Sequence, residues 1–407
     1  MAESQTIAPD SPSQSLPARL RELAVLFLRL GAISFGGPAA HIALIEEEIV
    51  RKRKWITRHQ FLDMLGAANL IPGPTSTEMA INVGFVRAGW IGLCVAGASF
   101  ILPAALITGT FAWIYVRFGT LTQAAAVLAG IKPAVIAVIA IAIWRLGRTA
   151  VRDPGLAVLG AVALAAFFLR INPIAILFVG GALGMLARRA STVRAAGALL
   201  LSPRTSLLAQ RPSWRSFGIF TLVSAVATPV VTRPSVGRIA LFFLKVGAVL
   251  YGGGYVLLAF LDQGLVHQNA WLTERQLLDA VAIGQFTPGP VLSTATFIGY
   301  ILGGAPGAAV ATIAIFLPSF FYVSLLAPVL FRLRQSRWMA AFLDSVNVCA
   351  VALMAAVTFR LAIDALRGWP AWMIAVTALA VLLQWKLSPA WVVLGGGIAG
   401  LLLATLR

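Results

Sequence analysis

Ile71-Pro72-Gly73-Pro74-Thr75 is the most informative stretch of this chain, because Thr287-Pro288-Gly289-Pro290-Val291 repeats it 216 residues later. A second motif, Phe35-Gly36-Gly37-Pro38, is repeated at the same offset by Tyr251-Gly252-Gly253-Gly254. Proline removes a backbone donor and glycine lets the chain turn, so each motif predicts a break in an apolar helix. Paired breaks in the two halves of a membrane protein indicate a transport site near the bilayer midplane.

The composition is that of a membrane protein. Of 407 residues, 59% are hydrophobic and only 11% are charged, whereas a soluble domain carries about 25% charged residues. Many apolar runs are long enough to cross a hydrocarbon core of about 30 Å. The ten-residue alternating segments of a transmembrane barrel do not occur in the sequence. We therefore predict an all-α polytopic membrane protein.

The duplication extends over most of the chain. Residues that match without a gap at the offset of 216 are Trp55, Thr57, Gln60 and Asp63 with Trp271, Thr273, Gln276 and Asp279. We predict four regions: a disordered tail over 1–18, a first repeat over 19–189, a basic loop with a linker transmembrane segment over 190–237, and a second repeat over 238–407.

Each repeat divides into six apolar segments, and the linker stretch 216–232 adds a thirteenth. The segments cover about 22–45, 60–86, 90–116, 122–147, 155–170 and 172–189, then 238–261, 276–301, 305–331, 338–361, 370–385 and 388–405. The first two of each repeat are interrupted by the glycine and proline motifs, which leaves pieces too short to span alone. We predict two broken or re-entrant segments and about four spanning helices in each repeat.

The basic residues predict that the two repeats are inverted relative to each other. If the broken segments return to the side they left and the linker crosses the membrane, 21 of the 32 Lys and Arg residues lie on one side and 8 on the other. The positive side is cytoplasmic, so we expect a cytoplasmic N-terminus and a periplasmic or external C-terminus. These loops explain the net charge of +18 through orientation and anionic lipid contact, rather than through nucleic-acid binding.

The residues around each Pro-Gly-Pro turn are the candidate substrate site. Thr75, Ser76 and Thr77 begin a half-helix whose free N–H groups and dipole favour an anion, and Ser293 and Thr294 take the equivalent place. The predicted set also contains Pro72, Gly73, Pro74, Pro288, Gly289 and Pro290, the glycines Gly36, Gly37, Gly252 and Gly253, and the amides Asn69 and Gln285. The alternatives are plain hydroxyl caps for the Thr and Ser residues and interhelical hydrogen bonds for the amides.

Two basic residues occupy equivalent positions inside apolar segments, where charge is costly and usually functional. We predict that Arg29 and Lys245 supply positive charge to a divalent anion. The alternative is that each side chain extends to the nearer membrane interface. Lys132 has no basic counterpart in the other repeat, where Val348 stands.

The acidic and imidazole side chains provide candidates for proton coupling. Glu78 follows the first turn and its repeat partner is Thr294, so it is a single asymmetric proton carrier in this hypothesis. His41 is a second candidate, with an ordinary structural role as the alternative. The repeat partners Asp63 and Asp279 are expected to have a structural role, as helix caps or as partners of an arginine.

Catalysis and cofactor binding are not predicted. Cys94 and Cys349 lie in apolar segments without metal-ligand spacing, so neither a disulfide nor a metal site is expected. The sequence has no Walker motif for nucleotide binding, and its three histidines form no convincing catalytic arrangement. We therefore expect a transporter that is not an enzyme and has no cofactor.

Ser34-Phe35-Gly36-Gly37-Pro38 with His41, Trp55 and Leu70-Ile71-Pro72-Gly73-Pro74 resembles the signature of the chromate transporter family. The second copy, including Phe286-Thr287-Pro288-Gly289-Pro290, resembles its C-terminal domain, although Gly254 and Leu257 replace Pro38 and His41. The resemblance covers roughly residues 20–405.

The resemblance implies a function and a location. It implies a bacterial inner-membrane protein with two homologous domains of opposite orientation. Such a protein exports chromate by secondary active transport, confers chromate resistance and draws on the ion-motive force. Chromate and sulfate are tetrahedral dianions of similar size, so transport of sulfate or another anion stays open. The expected partners are chromate or a similar oxyanion and the lipid bilayer, and a homodimer stays open.

Overall fold

The computed structural model describes residues 15–35, 37–69, 71–119, 122–200, 234–251, 256–333, 337–385 and 387–405. The described part of the first repeat contains α1 (Leu16–Ile33), α2 (Pro38–Glu46), α3 (Arg58–Ala68), α4 (Thr75–Phe118), α5 (Thr122–Ala150), α6 (Pro154–Phe168) and α7 (Pro173–Leu200). The second contains α8 (Val236–Val249), α9 (Leu257–Leu261), α10 (Glu274–Phe286), α11 (Thr294–Leu333), α12 (Arg337–Ala365), α13 (Trp369–Gln384) and α14 (Pro389–Thr405). The predicted all-α class is confirmed. The predicted linker segment 216–232 and most of the tail lie outside the described residues.

Within these ranges, four stretches are long and apolar enough to cross a membrane by length and composition. They are Thr75–Phe118, Gln123–Ala150, Val291–Leu325 and Trp338–Ala365. Four shorter apolar helices accompany them, namely Pro154–Phe168, Pro173–Ala187, Trp369–Gln384 and Pro389–Thr405. Together these helices make the chain a multi-pass membrane protein.

The helices break where the glycine and proline motifs predict. In the first repeat α3 ends at Ala68 and α4 begins at Thr75, with the Pro-Gly-Pro turn between them. Gly73 has φ of +150° and Gly289 has φ of +88°, and glycine adopts such angles without the strain that a Cβ would bring. α3 has 11 residues and α10 has 13, so neither is long enough to cross the bilayer alone.

The helices that lead into the two turns start in the same way. Thr57 accepts a hydrogen bond from the backbone N–H of Gln60, and the Gln60 side chain accepts one from the backbone N–H of Thr57. Thr273 and Gln276 form the same capping box at the start of α10. This reciprocal pair satisfies donors that a helix N-terminus otherwise leaves free. The Thr-x-x-Gln match between the repeats is therefore a shared helix start.

Each long central helix reverses direction at a glycine beyond the Pro-Gly-Pro turn. In α4 the backbone leaves helical geometry at Ala88 and Gly89. A Cβ added to Gly84 would overlap the carbonyl oxygen of Gly92, so the two parts of α4 pack backbone against backbone. α11 repeats this at Gly303–Gly304, with Gly299 packed on Gly307.

The two repeats interlock. α4 packs against α11 at the centre, with α1 beside α4 and α8 beside α11. α6 and α7 of the first repeat pack on α12 of the second, while α13 and α14 of the second pack on α5 of the first. Residues from both repeats accordingly share one large apolar core, including Ile139 and Val346. The repeats are separate in sequence but not in packing.

Candidate functional site

Each Pro-Gly-Pro turn is held by the first helix of the other repeat. The N–H of Gly73 donates to the carbonyl oxygen of Leu250 at 2.8 Å, and the N–H of Gly289 donates to that of Ser34 at 2.8 Å. Ser34 and Leu250 are themselves equivalent positions of the two repeats. The two hydrogen bonds are therefore equivalent, with the roles of the repeats exchanged. The turn glycines therefore have bonded N–H groups. The first helical residues after each turn still present the N–H groups that a helix N-terminus leaves free.

A buried polar cluster surrounds the first turn. Glu78 is 0% exposed, and among the described residues neither of its carboxylate oxygens has a hydrogen-bond partner. A Cβ added to Gly73 would overlap Glu78 Oε1 and Ser319 Oγ, so these groups face the turn together. The hydroxyls of Thr77 and Ser319 also lack partners within the described ranges. Unpaired buried polar groups are costly, which makes this cluster a candidate site for a proton or a ligand.

His41 connects the two turns. Its Nε2 lies 3.1 Å from the Ser34 carbonyl oxygen and its Nδ1 lies 3.3 Å from Ser76 Oγ. A carbonyl only accepts, so we assign the proton to Nε2 and let Nδ1 accept from the Ser76 hydroxyl. The same Ser34 carbonyl accepts the N–H of Gly289. The buried imidazole, packed edge-on against Phe100, thus links the start of α4 to the second turn.

The second turn is surrounded by hydroxyl groups rather than by an acid. Thr108 Oγ1 on α4 lies 3.3 Å from Thr287 Oγ1 and 3.2 Å from Ser293 Oγ, and all three residues are buried. Thr294, the repeat partner of Glu78, donates to the Val291 carbonyl oxygen at 2.8 Å. This side chain satisfies its own helix end, so the second turn offers a neutral hydroxyl cluster.

The two turns therefore differ in chemistry although their backbones match. The first turn faces Glu78 and Ser319, and the second has Ala104 beside Gly289. Glu78, Thr77 and Ser293 were predicted from sequence. Ser34, Thr108 and Ser319 were missed as site residues. Thr108 and Ser319 lie in long apolar helices, Ser34 follows the end of α1, and only packing brings them to a turn.

Arg29 and Lys245 do not reach the buried clusters. Both side chains are exposed, whereas their neighbours Phe27 on α1 and Phe243 on α8 are fully buried. The structure therefore does not bring these two cations to the buried clusters, and their role in charging the central site stays a prediction. Equivalent positions in two repeats do not fix which way a side chain points, because packing decides the rotation of each helix.

The predicted amides are placed at the edge of the site. Asn69 is exposed, and its Oδ1 lies 3.4 Å from Thr75 Oγ1. Gln285 is half-buried and lines a small cavity of about 20 Å³ with Val291 and Thr294. This volume is too small for a tetrahedral oxyanion. Of the predicted glycines, Gly36, Gly252 and Gly253 lie outside the described residues.

A second buried charge cluster lies beyond the second turn. Lys132 Nζ is 3.0 Å from Asp279 Oδ1, and the Tyr115 hydroxyl donates to Asp279 Oδ2 at 2.9 Å. The repeat partner Asp63 instead forms an ion pair with His59 at 2.9 Å. The partner of Asp279 is thus a lysine and that of Asp63 a histidine, whereas an arginine was expected from the sequence. In the described residues no group of three or more His, Cys, Asp or Glu side chains is arranged to hold a metal ion.

Comparison with known proteins identifies the family. The profile described as chromate transporter matches the chain twice, over residues 21–185 and 237–401, and the two matches are 216 residues apart. The chain belongs to the chromate transporter family. The predicted resemblance is confirmed, and the double match shows that each repeat is one family unit. The chain is thus a transporter built from two copies of that unit.

The similar proteins include chains of both one and two units. A chromate transport protein of Cupriavidus metallidurans is 33% identical over 391 residues, covering 94% of this chain and 92% of that protein. One of Pseudomonas aeruginosa is 31% identical over 405 residues, covering 97% and 95%. An uncharacterised transporter of Bacillus subtilis is 29% identical over 133 residues, which is 33% of this chain and 75% of that protein. No solved structure matches the chain.

Proposed function

We propose that this protein is a secondary-active exporter of chromate that confers chromate resistance and is coupled to the ion-motive force. Its similarity to chromate transport proteins over nearly its whole length supports the substrate. The observation that carries the mechanism is the buried Glu78 carboxyl beside the first turn, which has no hydrogen-bond partner among the described residues. Membrane transport coupled to protons requires a group of this kind at the centre of the protein.

The donors around the two turns fit a tetrahedral oxyanion. The N–H groups of Thr75 and Ser76 stand at the start of α4, where the helix dipole favours negative charge. The hydroxyls of Thr77 and Ser319 are free to donate within the described residues. At the second turn, the hydroxyls of Thr108, Thr287 and Ser293 form a separate cluster and are hydrogen-bonded to one another. An anion bound between these groups would satisfy polar atoms that are otherwise unpaired.

Glu78 couples this binding to a proton in the proposed mechanism. An ionised carboxylate beside the turn would repel a dianion, so the anion binds when Glu78 is neutral. His41 is less suited to carry the proton, because both of its ring nitrogens are engaged by Ser34 and Ser76. We assign proton coupling to Glu78 and a positioning role to His41.

The membrane potential is sufficient to drive export. A dianion that leaves with one proton moves one net negative charge out of an interior that is electrically negative. At equal pH on both sides such a step is worth about 2.3 kcal/mol per 100 mV, which corresponds to a concentration ratio of about 50-fold. A more acidic exterior lowers this ratio in proportion to the proton concentration, because the proton leaves with the anion. This coupling needs no nucleotide hydrolysis by the chain.

Chromate uptake into everted membrane vesicles tests this mechanism with Glu78→Gln. Wild-type uptake should fall as pH rises, because Glu78 must be protonated, whereas the variant should transport with little pH dependence because its side chain is always neutral. Glu47→Gln is a matched control on the exposed side of the molecule and should keep the wild-type pH profile. Wild-type vesicles that take up no more chromate than vesicles lacking the protein would overturn the function. A Glu78→Gln profile identical to wild type would overturn the proton assignment.

Sulfate is the second candidate substrate. The donors at both turns are uncharged hydroxyl and N–H groups, and chromate and sulfate have the same charge and shape, so these donors do not discriminate between them. Competition in the same vesicles distinguishes the two. A chromate carrier keeps its chromate uptake in a tenfold excess of sulfate, whereas a general oxyanion carrier loses most of it.

We also propose that the protein lies in the bacterial inner membrane with a cytoplasmic N-terminus and an external C-terminus. The distribution of Lys and Arg over the predicted loops supports this orientation. Reporters fused to each end test it: a reporter active only outside the cytoplasm should work at the C-terminus and fail at the N-terminus.

A further inference from the structure

A large cavity lies apart from the two turns. Its volume is about 810 Å³, and it is bounded by α5, α10, α12, α13 and α14. The charged residues that line it are Lys132, Arg275, Arg367 and Asp364. Asp364 pairs with Arg367 and Asp279 pairs with Lys132, so among the described residues the cavity has one surplus positive charge, that of Arg275. This surplus favours an anionic occupant.

The cations are arranged from the mouth of the cavity to its floor. Arg275 and Arg367 are exposed, and Arg367 is paired with Asp364. Lys132 is deeper, with a side chain that is only 11% exposed, and its partner Asp279 is 1% exposed. An ammonium group has three donors. The ion pair with Asp279 uses part of this capacity, so Lys132 can also donate to a ligand in the cavity.

The floor of the cavity leads toward the second turn. α4 and α10 run side by side, with Tyr115 bonded to Asp279 and Thr108 near Thr287. The seven residues from Thr108 to Tyr115 span about 10 Å of helix. Between these two contacts the Phe111 and Phe286 rings meet, with centroids 5.8 Å apart. The aromatic pair separates the charged cavity from the hydroxyl cluster.

We propose that this cavity is a vestibule that binds a tetrahedral dianion between Lys132, Arg275 and Arg367, separated from the second turn by the Phe111–Phe286 pair. The identity of the anion as chromate rests on the proposed function. Hydrogen bonds between a cation and an anionic oxygen are short and strong, and a partly enclosed site strengthens them. A bound dianion competes with Asp279 for the ammonium of Lys132.

Equilibrium dialysis of radiolabelled chromate against the purified full-length protein in detergent tests the vestibule. The double variant Arg275→Gln/Arg367→Gln should weaken one binding component at least about tenfold, because each charge-assisted hydrogen bond is worth about one decade in affinity. Arg117→Gln is the control. Arg117 is an exposed arginine near the C-terminal end of α4, and it does not line the cavity. Its affinity should equal that of wild type. Equal weakening by the control would show a general surface-charge effect and overturn the proposal.

The role of Lys132 at the floor of the vestibule is tested with a double variant, because replacing Lys132 alone would leave the buried Asp279 carboxylate without its ion-pair partner. Lys132→Gln/Asp279→Asn replaces both charges together and should also weaken chromate binding. Glu47→Gln is the control, because Glu47 pairs with Arg51 and does not line the cavity, and it should leave chromate binding unchanged. Wild-type chromate binding retained in both double variants would overturn the vestibule.

Binding and flux separate this proposal from the proposed function. If vesicles show no chromate flux but binding depends on Arg275 and Arg367, the vestibule stands and the export assignment falls. If flux is present while the arginine double variant binds chromate as wild type does, the vestibule falls and export stands.

Discussion

Glu78 gives the two repeats different roles at the level of a single residue. Its partner Thr294 is bonded to the Val291 carbonyl, whereas the Glu78 carboxyl has no partner among the described residues. Two acids at the centre would place like charges close together and repel a dianion twice. One acid permits a cycle in which one proton accompanies one anion.

His41 should be important for stability because its contacts are buried. Replacement by Phe removes the partner of the Ser76 hydroxyl and one donor to the Ser34 carbonyl. An unsatisfied buried polar group costs about 1–3 kcal/mol, so His41→Phe should lower the thermal midpoint in detergent by several degrees. His59→Phe alters a side chain that is 75% exposed and should leave the midpoint nearly unchanged. Equal midpoints for both variants would contradict the linking role of His41.

Thr108 should affect transport more than folding. Thr108→Val keeps the side-chain shape but removes the hydroxyl that lies near Thr287 and Ser293. If this cluster contacts the anion, the initial rate of chromate uptake should fall about tenfold. Thr110→Val is the matched control, because the Thr110 hydroxyl is exposed and bonds only to the Leu106 carbonyl of its own helix. An undiminished rate in Thr108→Val would remove this cluster from the transport path.

The turn between two half-helices is the element on which the site depends. At Gly73 an alanine would meet both an unfavourable φ and the side chains of Glu78 and Ser319. Strain of this kind costs about 1–3 kcal/mol, so Gly73→Ala should lower the yield of folded protein and displace Glu78. Gly237→Ala is the control, since a Cβ added there meets nothing within 4 Å. It should be neutral or stabilise helix α8. Normal yield and chromate uptake in Gly73→Ala would show that the turn tolerates a different geometry.

At the scale of the whole molecule, the interlocked repeats make the centre a shared product of both halves. Each turn glycine donates its N–H to the other repeat, and the outer helices of each repeat pack on the other. A movement of one repeat must therefore alter the support of both turns. We therefore expect any conformational change during transport to involve both repeats together.

Severing the chain within the linker region 190–237 tests this interdependence. Each fragment alone would expose apolar faces that the other repeat covers, so we expect neither to accumulate as a folded monomer. Co-expression of both fragments should restore a complex that transports chromate. A fragment that is stable and monodisperse without its partner would contradict the shared core.

Much of the architecture follows from the sequence. The breaks at the Pro-Gly-Pro turns depend on local backbone chemistry, and the structure has them where predicted. The matched Thr57 and Thr273 prove to be helix caps, a role that was not predicted for them. The duplicated motifs also predicted the family, which the double profile match confirms. Burial on α1 was available from periodicity, because Leu23, Phe27 and Leu30 form one helical stripe that excludes Arg29.

Only the tertiary structure decided which side chains meet. Ser319 faces Gly73 and Thr108 faces Thr287 across the two repeats, and no local pattern specifies contacts between such distant parts of the chain. The ion pair between Lys132 and Asp279 likewise depends on tertiary packing, because it forms where α5 packs beside α10. The sequence determined where the backbone breaks and how long each apolar helix is, because Gly, Pro and apolar length act locally. The rotation of each helix about its axis, and the contacts that each repeat makes with the other, depend on how all the helices of the core pack together. Local sequence patterns do not specify this packing.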